Sequence, residues 1–224
     1  MRASVRLFTL LVLILVFALP LGHPVRAGDD TAKFELIIDI TWSAQTAPHE
    51  YPEAGGHLSR LIGATHRVRY SMFRDGHTAS SGLEALAEVG RPDILKAELA
   101  DAQRRSRVGT IFELPRLDKV PGSMKAIVEA SKEFPLLSFV TMLAPSPDWF
   151  TGLSAVALLV DGQWLETGDY HLVAWDAGSD SGNTYVAPNA DTQPRESVRL
   201  VATRHFLGRR GLVPVGSVKI KRMH

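Results

Sequence analysis

From residue 34 to residue 42 apolar and polar side chains alternate, with Phe34, Leu36, Ile38, Ile40 and Trp42 on one side and Glu35, Asp39 and Thr41 mostly on the other. Successive side chains of an extended chain point to opposite faces, so a period of two commits this stretch to a half-buried β-strand. The same alternation is read at Val68/Tyr70/Met72, Val198/Leu200/Ala202 and Val218/Ile220. Residues 136–143 (LLSFVTML) and 153–160 (LSAVALLV) are apolar on both sides, which predicts central strands covered on both faces. The turn pair Asp161-Gly162 closes the second run, and residues 170–175 and 124–129 add further strands. Helical spacing is confined to the middle of the chain. Pro92 and Asp93 open an amphipathic helix carried by Ile94, Leu95, Leu99 and Ala102, and a shorter one is expected over residues 83–89. Many strands with one or two inserted helices predict a mainly β fold, an antiparallel β-sandwich formed as one domain.

The N-terminus sets the compartment. Residues 7–19 form an apolar run that follows Arg2 and Arg6 and is too short to cross a bilayer comfortably. Pro20 and Gly22 break it, and Val25 and Ala27 supply the small or apolar residues of a cleavage site. Residues 1–27 are therefore expected to be a signal peptide removed after Ala27, residues 28–33 a short N-terminal segment, and residues 34–224 the domain, secreted or periplasmic. Loss of the leader removes three arginines and no acid, which leaves 22 basic against 24 acidic residues. A chain so near neutrality lacks the clustered positive charge that nucleic acid requires. It also has no cysteine, so thiol catalysis and cysteine-bound zinc are excluded and the core alone must hold the fold.

Three aspartates are the candidate chemistry. Asp148 lies in Ala144-Pro145-Ser146-Pro147-Asp148-Trp149-Phe150, where two prolines stiffen the loop after a strand. Asp176 and Asp180 lie in Trp175-Asp176-Ala177-Gly178-Ser179-Asp180-Ser181-Gly182-Asn183, also after a strand, where glycines let backbone carbonyls turn inward. Ca²⁺ takes oxygen ligands of this kind, about six to eight at about 2.3–2.6 Å. On spacing alone the signal for a metal is weak, because such an Asp pair in a Gly/Ser loop is more often a solvated turn whose side chains cap their own backbone. The EF-hand pattern is absent.

Five segments in order, Gly63-Ala64-Thr65-His66, Ala79-Ser80-Ser81-Gly82-Leu83, Ser138-Phe139-Val140, residues 144–150 and residues 175–182, resemble the spondin N-terminal domain of the F-spondin and mindin family of extracellular-matrix proteins. The resemblance runs from about Phe34 to Pro194. It implies a C2-like β-sandwich that binds Ca²⁺ through loops at one end and serves adhesion or recognition of a protein or glycan. The family's Pro-Ser-Pro-Asp-Trp aspartate falls on Asp148, and those of its Trp-Asp-Ala-Gly-x-Asp-Ser-Gly segment fall on Asp176 and Asp180. The animal members carry cysteines and continue into thrombospondin-type repeats, whereas this chain has no cysteine and ends soon after the domain, so attachment to matrix through neighbouring modules is not expected. Ser154 stands where many relatives have an acid.

The expected function is therefore a non-catalytic, Ca²⁺-binding recognition module, with Trp149, Phe150 and Ser181 as its candidate ligand surface. Two alternatives use the same ion. A metal-dependent hydrolase would need a general base beside Asp148, and no nucleophile elbow or base is visible around Ser146, Ser154 or Ser181. A peripheral membrane binder would bridge Ca²⁺ to anionic lipid and insert Trp149 and Phe150. Packing is the expected use of the tryptophans, with Trp42 in the core and Trp149 and Trp175 bracing the metal loops. Histidines 49, 57, 66, 77, 171 and 205 show no short zinc spacing, and His57 and His66 are read as structural hydrogen-bonders.

Overall fold

The computed structural model describes residues 30–224. The leader, its cleavage site and the start of the 28–33 segment lie outside the described residues. The elements in chain order are β1 (Thr31–Ile40), β2 (His57–Leu58), β3 (Leu61–His66), α1 (Ser81–Val89), α2 (Asp93–Arg104), β4 (Val108–Leu114), β5 (Gly122–Ser131), β6 (Leu136–Ala144), β7 (Trp149–Ala157), β8 (Leu159–Val160), β9 (Gln163–Trp164), β10 (Thr167–Leu172), β11 (Ala174–Asp176), β12 (Arg199–Leu200), β13 (Leu207–Gly208), β14 (Gly211–Leu212) and β15 (Gly216–Met223). The first sheet runs β10-β15-β1-β5 and the second β12-β11-β7-β6-β3-β4, with β2 also on β6 and every pairing antiparallel.

The alternation in β1 does what its period predicts. Phe34, Leu36, Ile38 and Ile40 are buried, as are Val218 and Ile220 of β15 and Met124, Ala126 and Val128 of β5. Together they cover Leu61, Leu137, Phe139, Leu143, Trp149 and Leu153 of the second sheet, and Trp42 completes this core. The far face of the second sheet presents Ile62, Ala64, Val140, Met142 and Phe150 to Leu83, Leu86, Leu95 and Leu99 of the two helices. Strand β6 is therefore apolar on both faces because it has a core on each side. The molecule is a β-sandwich with a helical third layer.

Four expected strands are corrected, and the start of a fifth. Residues 68–72 are turn and bend, and Val68 is 72% exposed. The alternating arginines there follow the strand instead of belonging to it; the paired segment is β3, just before. Residues 198–202 pair only at β12. The run 153–160 is not one doubly covered strand, since Ser154 and Ala155 are exposed and the chain breaks at Leu158 between β7 and β8. Ala155 takes φ 54° at a register shift, after which Val156 and Ala157 still pair with Leu137 and Leu136 before the ladder ends. The stretch read as one strand over 170–175 is two. Strand β10 pairs with β15 in the first sheet and β11 with β7 in the second, so the chain changes sheets at Val173. The first strand starts at Thr31, not Phe34.

Candidate metal centre

That change of sheet brings the aspartates together. In the β11–β7 ladder Asp176 stands opposite Trp149, so the two Asp-bearing loops leave the same end of adjacent strands. Ala177 N–H then donates to Asp148 O at 3.2 Å, extending the contact into the loops. Asp148, Asp176 and Asp180 are all buried.

Each carboxylate has a different set of partners. Asp148 Oδ2 accepts backbone N–H bonds from Ser179 at 2.8 Å and Asp180 at 3.1 Å, while its Oδ1 is buried with no hydrogen-bond partner. Asp176 Oδ1 accepts from Gly178 N–H at 2.8 Å, and its Oδ2 accepts from Arg199 Nη2 at 3.1 Å. Asp180 Oδ1 accepts from Gly182 N–H at 2.7 Å, and Oδ2 accepts from Ala190 N–H at 3.0 Å. Asp176 and Asp180 thus do cap their own backbone two residues on, the local turn chemistry that spacing allowed. Asp148 does not, because its donors come from the other loop.

Burial pushes the Asp148 carboxyl up to about 6, and the neighbouring Asp176 and Asp180 charges add to the shift. Burial raises Asp176 as well, opposed by the Arg199 guanidinium. Arg199 also pairs with Glu196, so its charge is divided and the cluster stays under-compensated. A cation or a proton at the free Oδ1 of Asp148 would relieve it.

The loop itself is clamped. Arg195 Nη1 donates to Ser179 O and Thr192 O, each at 2.9 Å, while Nη2 reaches Glu84 of α1. Gly178 has φ +73°, and a Cβ there would fall 2.5 Å from Glu196 O, so only glycine lets the two chain segments approach. The carbonyls of Gly178 and Ser179 accept loop-closing bonds from Glu196 and Thr192; the inward-turned carbonyls expected from the glycines are thus committed to the loop.

Of the candidate ligand surface, Ser181 alone is exposed. Trp149 lies in the core between the sheets, against Tyr185, His205 and Phe206. Phe150 points the opposite way, into the helix-side core, with its ring 5.0 Å from Phe73. Adjacent strand residues alternate in direction and here both directions are interior, which withdraws the pair from any ligand surface or membrane insertion. Ser154 Oγ is taken by Phe73 O at 2.7 Å. His66 is the expected structural hydrogen-bonder: its Nδ1 lies 2.9 Å from Arg67 O and its Nε2 2.8 Å from Ser138 Oγ.

Among the described residues the one set of three His, Asp or Glu whose ligand atoms all lie within 4.8 Å of one another is His49, Glu50 and His205. The three aspartates stand wider apart. Sequence reading missed the histidine cluster because its members are brought together across most of the chain, with no local spacing to find.

The family model described as Spondin_N matches residues 32–209. Spondin-1 of Gallus gallus is 36% identical over 176 residues, and Spondin-1 of Homo sapiens likewise. These matches cover 75% of this chain and 22% of each relative. Spondin-2 of Homo sapiens is 33% identical over 180 residues, covering 79% of this chain and 54% of that protein. The chain thus spans about a fifth of Spondin-1 and about half of Spondin-2.

Proposed function

The chain belongs to the spondin N-terminal domain family, and from that premise we propose that it is an exported, non-catalytic recognition module of the adhesion type whose tip is organised by Ca²⁺. The observation that carries the ion is the buried, unpartnered Oδ1 of Asp148 beside two more buried carboxylates. Burying a carboxylate without a compensating partner is costly, and a divalent ion shared by the three aspartates removes that cost. Oxygen-only donors suit a hard cation. Asp148, Asp176 and Asp180 would hold it; the ion would tie the loop after β6 to the loop after β11 and supply charge neutralisation.

A bound protein or glycan would contact the rim around exposed Ser181, since Trp149 and Phe150 are interior. Extracellular modules bind Ca²⁺ at about 10⁻⁴–10⁻³ M, and a ligand of the folded state at 100 times its dissociation constant stabilises by about 2.7 kcal/mol. The melting temperature is therefore expected to rise with millimolar Ca²⁺ and fall with chelator, and Asp176→Asn with Asp180→Asn to abolish the response. A melt unchanged across millimolar Ca²⁺ removes the proposal. Metal-dependent turnover of ester, phosphate or glycoside substrates would replace it with a hydrolase.

A further inference from the structure

Two turns far apart in the sequence meet at the open edge of the core between the sheets. His49 and Glu50 precede β2, and His205 precedes β13. His205 Nε2 lies 3.2 Å from Glu50 Oε2, and His49 Nε2 lies 3.8 Å from Glu50 Oε1. The two imidazole centroids are 4.9 Å apart. An extended dipeptide would send His49 and Glu50 to opposite sides, but Glu50 takes φ 52°, and both ligand atoms face His205.

We propose that His49, Glu50 and His205 form a binding site for a divalent transition-metal ion of the Zn²⁺ class. With bonds of about 2.0–2.2 Å, a tetrahedral zinc site has ligand–ligand edges of about 3.3–3.6 Å. His205 Nε2 and His49 Nε2 lie 3.2 and 3.8 Å from different oxygens of Glu50, and one ligand atom from each of the three residues lies within 4.8 Å of the others, so a small turn of the carboxylate and the His49 imidazole closes the set onto one ion. A proton between His205 and Glu50 would account for their contact alone. It does not account for a second imidazole brought to the other oxygen of the same carboxylate, beyond hydrogen-bond distance.

His205 is built in as a fixed ligand. It is 5% exposed, its ring is held by Trp149 and Tyr185 at 5.1 and 5.0 Å, and its Nδ1 meets Thr203 Oγ1 at 3.1 Å. A hydroxyl accepting from Nδ1–H leaves the Nε2 lone pair aimed at Glu50, the outer-shell device that orients metal-binding imidazoles. The fourth position opens into a cavity of about 250 Å³ lined by the three ligands with Asn183, Thr184, Thr203 and Arg204. Water or an anionic group would fill it, and Arg204 favours the latter. Nitrogen donors separate this site from the all-oxygen aspartate cluster, so the two select different ions.

The test uses the purified full chain without a histidine tag. Zn²⁺ titration by calorimetry is expected to show one saturable site per chain, and Co²⁺ to give the visible absorption of a tetrahedral complex. His49→Ala and Glu50→Gln, both accessible positions, should each weaken Zn²⁺ binding by at least about tenfold. They should leave the Ca²⁺-dependent melt unchanged, and Asp176→Asn with Asp180→Asn should leave Zn²⁺ binding unchanged. His205→Ala removes a packed ring, so where it does not fold the two surface variants decide. Absence of saturable Zn²⁺ binding, or binding that survives both variants, overturns the site.

Discussion

Asp148 shows how one side chain acquires a role that its neighbours in sequence cannot give it. The prolines of residues 145–147 fix the loop, yet the donors that hold Oδ2 come from Ser179 and Asp180, and nothing reaches Oδ1. Its carboxyl is raised from 3.8 to about 6, so the folded state favours the protonated form. That contribution is fully present below the unfolded value and is lost as pH rises through about 6. In chelator, stability is therefore expected to fall between these values. Asp148→Asn should flatten that fall and, near neutral pH without Ca²⁺, stabilise the protein by about 1–3 kcal/mol while abolishing any response to Ca²⁺. Denaturant titration with and without Ca²⁺ measures both signs, and an apo protein weakened by Asp148→Asn contradicts the crowded-carboxylate account. The three aspartates were legible as residues because proline and glycine mark their loops. Arg199 and Arg195 were not, since each acts on a segment that the sequence does not place beside it.

Among the elements, β6 and β7 are the most constrained pair. Gly152 of β7 faces Val140, and a Cβ there would lie 1.9 Å from Phe139 O, a backbone atom of the neighbouring strand. No rotamer change can make room, so Gly152→Ala is expected to cost about 3 kcal/mol, seen as a lower denaturant midpoint with an unchanged slope. A variant as stable as the parent would mean that the strands separate more easily than this register allows. The alternation of β1 and the two-sided apolarity of β6 were readable because period and composition are local properties. The false strand at residues 68–72 and the overlong one at 153–160 failed for the opposite reason. Alternating Arg and apolar residues fit a turn as well as a strand when no partner strand is beside them, and an apolar run does not announce where its ladder ends.

At the scale of the whole molecule, the second sheet is shared property. Its one face closes the core with β1, β5 and β15, and its other closes the core with the helices. Phe139 belongs to the first and Phe150 to the second, on paired strands. Because each core needs the same sheet, the two should melt together. Phe139→Ala and Phe150→Ala are each expected to remove about 3–5 kcal/mol and to lower one and the same calorimetric transition. A split endotherm in either variant would show that the helical layer unfolds by itself.

The amino-acid order alone determined that the chain is mainly β, where its two helices lie, and which acids sit on stiff loops, because each of these follows from the period or turn chemistry of neighbouring residues. Only the tertiary structure decided which way Trp149 and Phe150 face, that one aspartate oxygen is left without a partner, and that His49 and Glu50 meet His205. Those facts depend on pairing between segments far apart in the chain, above all on the change of sheet between β10 and β11, and sequence carries no short-range signal for it.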